Sequence, residues 1–106
     1  MRVLNFIVNG QKLDKAENTD LSYIIRGSDN YLCLCIKFDD EWNNTAKIVS
    51  LYDSNKKETL KSANNGIVLV PKEITQGDMF SFNVVGRKSQ VLLRTNRFYI
   101  KLRKEQ

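Results

Sequence analysis

The sequence predicts an all-β fold: one small antiparallel β-sandwich, immunoglobulin-like, of about eight short strands. Three observations carry this expectation. Segment after segment alternates apolar and polar residues with period two, the mark of half-buried strands. Turn-forming clusters such as Asn9-Gly10 and Asn64-Asn65-Gly66 recur between those segments. No stretch holds a helical apolar period over three turns. A chain of 106 residues has room for one core, so residues 1–106 are read as a single domain.

The elements follow in order. Leu4, Phe6 and Val8 alternate with Val3, Asn5 and Ile7, and Asn9-Gly10 then supplies a type I′ hairpin turn. Leu21 to Arg26 is the next strand candidate, and Gly27-Ser28-Asp29-Asn30 turns the chain into Tyr31 to Phe38. There Leu32, Leu34, Ile36 and Phe38 share a core face. Asp39 to Ala46 is loop, Lys47 to Asp53 is a strand, and a short strand lies near Glu58 to Lys61. Ile67 to Val70 ends at Pro71, which cannot donate to a ladder. Lys72 to Asp78 holds one helical or 3-10 turn. Met79 to Val85 directs Phe80, Phe82 and Val84 inward, and Gly86-Arg87-Lys88-Ser89 turns the chain into Val91 to Arg94. In the last strand, Arg97 to Arg103, Phe98, Ile100 and Leu102 face in while Arg97, Tyr99, Lys101 and Arg103 face out.

Composition narrows the chemistry. No apolar run approaches the ~20 residues of a membrane span, and the N-terminal segment lacks the apolar core of a signal peptide. The expected location is the cytoplasm, with no membrane partner. Cys33 and Cys35, the two cysteines, share one strand face, where a disulfide would distort the strand. They are read as reduced, buried thiols. The chain has no histidine, which removes the commonest general base and the usual completion of a two-thiolate zinc site. Its five glycines are scattered at turns, so no phosphate-cradling loop forms. The run Asp39-Asp40-Glu41 lacks calcium-loop spacing and reads as a solvated loop. No catalytic residue, cofactor or metal ligand is expected.

What remains is surface. A net charge of +5 favours acidic partners without identifying one. Arg87, Lys88, Arg94, Arg97, Lys101 and Arg103 crowd the C-terminal third, with Tyr99 between Arg97 and Lys101 on one strand face. This cluster can contact an acidic protein or, by stacking and phosphate contact, a nucleic acid. It can equally blunt an exposed edge strand against pairing. Trp42, the lone tryptophan, either seals the core edge over Phe38 or anchors a partner. A carbohydrate platform would need exposed aromatics on a flat face, for which Tyr31, Tyr52 and Tyr99 are the candidates.

One resemblance adds to this reading. The order Phe38-Asp39-Asp40-Glu41-Trp42, Lys47 to Tyr52, Gly66 to Pro71, Glu73-Ile74, Gly77 and Phe80 to Gly86 resembles small β-sandwich modules of bacteriophage tail and baseplate proteins, notably upper-baseplate-type N-terminal domains. The likeness spans Leu32 to about Leu102 and rests on core and turn residues. It implies a non-enzymatic protein-binding module of a phage or prophage, acting as a virion or baseplate-type accessory component in the host cytoplasm or the particle. Its partner would be a phage structural protein or a host protein, and oligomers are compatible with it. An anti-defence or host-takeover inhibitor, and nucleic-acid binding through the basic C-terminal strand, are the alternatives.

Overall fold

The alternation read from the sequence sorts the strands into two layers around one core. The computed structural model describes residues 1–105, among which nine strands form. They are β1 (Arg2–Asn9), β2 (Lys12–Lys15), β3 (Leu32–Phe38), β4 (Ala46–Tyr52), β5 (Glu58–Ser62), β6 (Ile67–Leu69), β7 (Met79–Lys88), β8 (Val91–Arg94) and β9 (Phe98–Lys101). A four-stranded sheet has the order β2-β1-β3-β6. A five-stranded sheet has the order β5-β4-β7-β8, with β9 beside β8 along the same flank of β7. Short 3-10 turns at Asp40–Trp42 and Lys72–Ile74 are the only helical pieces among the described residues. None is long and apolar enough to cross a membrane.

The inner faces are those the period predicts. Leu4, Phe6, Val8, Leu32, Leu34 and Ile36 of the first sheet meet Val49, Leu51, Phe80, Phe82, Val84 and Ile100 of the second, all buried. Phe6 joins the layers through edge-on contacts with Phe82 and Phe98, at centroid distances of 4.9 and 5.1 Å. Trp42 closes one end of this core. Its indole is fully buried, lies 5.2 Å from the Phe38 ring, and donates from Nε1 to the Gly10 carbonyl at 2.7 Å. The adjoining Asp39 carboxylate accepts from the Gly10 and Glu41 N–H groups. The acidic run is therefore a turn cap around Trp42.

Five details differ from the sequence-based expectation. Six of the seven ladders are antiparallel, but β1 and β3 run parallel from Arg2↔Leu32 to Val8↔Phe38. The ninth strand is β2, whose single buried apolar residue, Leu13, gives too little alternation to announce it. Leu21 to Arg26 is not a ladder strand and makes one bridge, Ile25↔Arg103. Its carbonyls turn elsewhere: the Arg2 guanidinium donates to those of Asp20, Ser22 and Tyr23 at 2.7–2.9 Å, while Ile24 plugs the end of the core. Finally, β7 continues through Gly86 and Arg87, and Ser89-Gln90 makes the turn. Glycine is needed at 86 because a Cβ there would lie 2.6 Å from Cζ3 of Trp42. The first hairpin also turns differently, since φ is positive at Gly10 but not at Asn9, and Asn9 pairs with Lys12.

The feature that positions the candidate site is a bulge. Between the pairs Phe82↔Phe98 and Val85↔Arg94, two residues of β7 face three, Thr95, Asn96 and Arg97. Thr95 keeps the ladder bonded: its N–H donates to the Val84 carbonyl at 3.0 Å, and its hydroxyl accepts from the Val84 N–H at 2.9 Å. Asn96 turns its carboxamide to the other sheet, accepting from the Leu13 N–H at 2.7 Å and donating to the Leu13 carbonyl at 3.1 Å. A side chain thus pairs with the β2 edge as a strand would, and covers it.

Two outcomes follow. Trp42→Ala should lower the unfolding free energy by about 3–5 kcal/mol, through the cavity and the orphaned Gly10 carbonyl. Asn96→Ala should cost about 1–3 kcal/mol, because it unpairs two backbone groups of Leu13. Urea denaturation of each variant measures both.

Candidate functional site

Strand parity and register place the basic residues. On the outer face of the five-stranded sheet, Glu58, Tyr52, Ser81 and Tyr99 form one row, and Leu60, Ser50 and Asn83 form the next. Ser62, Ile48, Val85 and Arg94 make a third row, and Arg87 lies beside Leu92 at the far end. Lys101 pairs with Met79 beyond Tyr99. Arg87, Arg94, Arg97 and Lys101 therefore share one face, where Glu58 is the single carboxylate contributed by the strands. That carboxylate accepts from the Tyr52 hydroxyl at 3.2 Å.

Arg97 leaves the bulge on one side of β7, and its guanidinium sits 3.8 Å above the Tyr52 ring on β4. It must therefore cross β7, two strand spacings of about 4.8 Å each. Beneath its path lie Ser50, Ser81 and Asn83, which are buried although they point to solvent. Asn83 is 8% exposed, and its Oδ1 has no hydrogen-bond partner. Stacking on Tyr52 leaves the edge of the guanidinium fork free to pair with a planar anion. Tyr99, 58% exposed, stands in the same row as Tyr52 across Ser81.

The remaining sequence candidates fall outside this face. Lys88 lies at the end of β7 and lines a hollow of about 280 Å³ with Glu41, Thr45, Val91 and Leu93. Arg103 stacks 4.9 Å from the Tyr23 ring, and both line a crevice of about 520 Å³ that reaches Lys101 and Asp78. Trp42 is fully buried against Phe38, so it seals the core edge and presents no surface that could anchor a partner. Tyr52 lies under Arg97 and Tyr31 lies beside Arg2, so the three tyrosines do not form one open platform. Sequence reading missed Asn83 and the covering of Tyr52. The signal was present in the phase: Leu93 and Phe98 both face inward yet are five apart, which requires one extra residue between them.

The outer face of the other sheet is more apolar. Val3, Cys33 and Leu69 form one row, with Cys35 and Ile67 in the next. Both thiols are free and share the face, as their spacing predicts. Burial, and then the neighbouring Cys35, push the Cys33 thiol above its ordinary value. Among the described residues no group of three or more His, Cys, Asp or Glu side chains could hold a metal ion.

Compared with protein-family models, curated proteins and solved structures, the chain gives no match.

The thiol geometry is testable. Iodoacetamide near neutral pH should label half-buried Cys35 well before Cys33, as read by peptide mass spectrometry. Equal rates would contradict the burial difference.

Proposed function

We propose that the chain is a non-enzymatic protein-binding module whose contact surface is the outer face of the five-stranded sheet. The observation that carries this reading is the gathering of Arg87, Arg94, Arg97 and Lys101 on one face around a buried polar trough. Arginine and tyrosine are the residue types that dominate binding energy at protein interfaces. The likeness of the core and turn order to phage tail modules supports a virion or baseplate-type accessory role. An infection-stage inhibitor would use the same surface against a host protein. These roles differ in where the chain is found: purified particles contain an accessory component and lack an inhibitor.

A specific observation supports nucleic acid as a second reading. Tyr99 is open to solvent between Arg97 and Lys101, an arrangement that stacks a base while cations meet phosphates. Binding of that kind weakens steeply with salt and depends little on base sequence.

Affinity capture from nuclease-treated lysate of cells carrying the phage or prophage tests the proposal. The wild-type chain should retain a protein partner that Arg97→Ala/Lys101→Ala loses at least tenfold. Equal retention by the variant would exclude this face. Turnover of a substrate by the purified chain, abolished by one polar substitution, would overturn the non-enzymatic reading.

A further inference from the structure

The trough beneath Arg97 states what its ligand must offer. Asn83 lies on a solvent-facing sheet, is 8% exposed and keeps an unpartnered carbonyl oxygen, Oδ1. Buried acceptors in folded proteins are ordinarily paired, so this atom calls for an N–H or O–H donor. The cations around it call for the opposite chemistry. Arg94 and Arg97 flank the Asn83 row on the β8 and β9 side, with Lys101 and Arg87 beyond, and all of them accept anions.

A ligand that satisfies both demands carries donors and anionic groups a few ångströms apart. A phosphodiester or an ionised carboxylate by itself supplies acceptors alone. An extended peptide with acidic side chains supplies main-chain N–H groups and carboxylates in alternation. We infer that this face receives an acidic peptide segment of a protein partner, with a carboxylate on the Arg97 fork and a main-chain N–H on Asn83 Oδ1. Arg97 is an exposed side chain stacked on Tyr52, so a carboxylate that draws its guanidinium outward would open the trough to the N–H. Leu60, 60% exposed at the β5 end of the Asn83 row, gives the segment an apolar rest.

This inference rests on the proposed binding face and names what it binds. Nuclear magnetic resonance titration of the labelled chain separates the two. The probes are an N-acetylated octapeptide of alternating Asp and Glu, its Asn and Gln counterpart, and a deoxythymidine octamer. The acidic peptide should shift the amides of Ser50, Ser81 and Arg97 and the side-chain NH2 pair of Asn83, and the neutral peptide should shift none of them. Arg97→Gln should weaken the acidic peptide at least tenfold. Lys88→Gln, which removes a charge elsewhere, should change its affinity less than twofold.

Shifts that spare the Asn83 carboxamide, or equal losses in both variants, would reduce the effect to net charge and overturn the inference. Binding of the deoxythymidine octamer alone would assign the face to nucleic acid. If neither probe binds but captured protein still depends on Arg97, the face stands and the acidic-peptide assignment fails.

Discussion

One extra residue between β8 and β9 sets the architecture of this protein. A strand running straight from Leu93 would turn Arg97, Tyr99 and Lys101 into the core and expel Phe98 and Ile100. The bulge resets the phase so that the aromatic and aliphatic residues pack against Phe6 and Phe82. It also gives each of its three residues a different task. Thr95 repairs the ladder with its hydroxyl, Asn96 joins the two sheets, and Arg97 reaches across the outer face. Removing the bulge would trade these three functions for a regular edge.

Several carboxylates are engaged in turns and loops away from that face. Asp39 accepts from Gly10 and Glu41, Asp53 from Asn55 and Lys57, Asp20 from Ser22, and Asp29 from Lys72, all through backbone N–H groups. These aspartates are thus engaged at turns and loop ends, some locally and some across the fold, where a short side chain can satisfy an N–H that lacks a ladder partner. The Ser22 hydroxyl and N–H hold the Asp20 carboxyl below its ordinary value. Its support for the loop over Arg2 is present above the unfolded titration range and is lost as pH falls through the lowered folded value. Arg2 holds loop carbonyls, whereas Arg87, Arg94, Arg97 and Lys101 stay on the strand face.

Most of the architecture was legible because period two is a direct readout of which side chains meet the core. Phe80, Phe82, Val84, Ile100 and Leu102 are buried and Phe98 packs half-buried against them, as the alternation requires. What escaped was set by partners distant in sequence. Nothing local to Gly86 announces that Trp42 will lie on it, and a glycine beside Arg87-Lys88-Ser89 by itself predicts a turn. Nothing local to Leu21–Arg26 announces that Arg2 will take its carbonyls. The basic cluster was legible as a cluster, but register alone separates Arg87, Arg94, Arg97 and Lys101 from Lys88 and Arg103. Asn83 was invisible because its meaning lies in what fails to bond to it.

The division of tasks within the bulge makes residue 97 exchangeable. Thr95 and Asn96 are tied to the scaffold by main-chain hydrogen bonds, and replacing either disturbs a ladder or a sheet junction. Arg97 follows them in sequence and contributes a stacked, exposed side chain to the outer face. The sandwich therefore keeps its shape under substitutions that would redefine the chemistry of its outer face. A lineage carrying this fold could recast that face at one position, trading cation for amide or aromatic, while its core sequence stayed fixed.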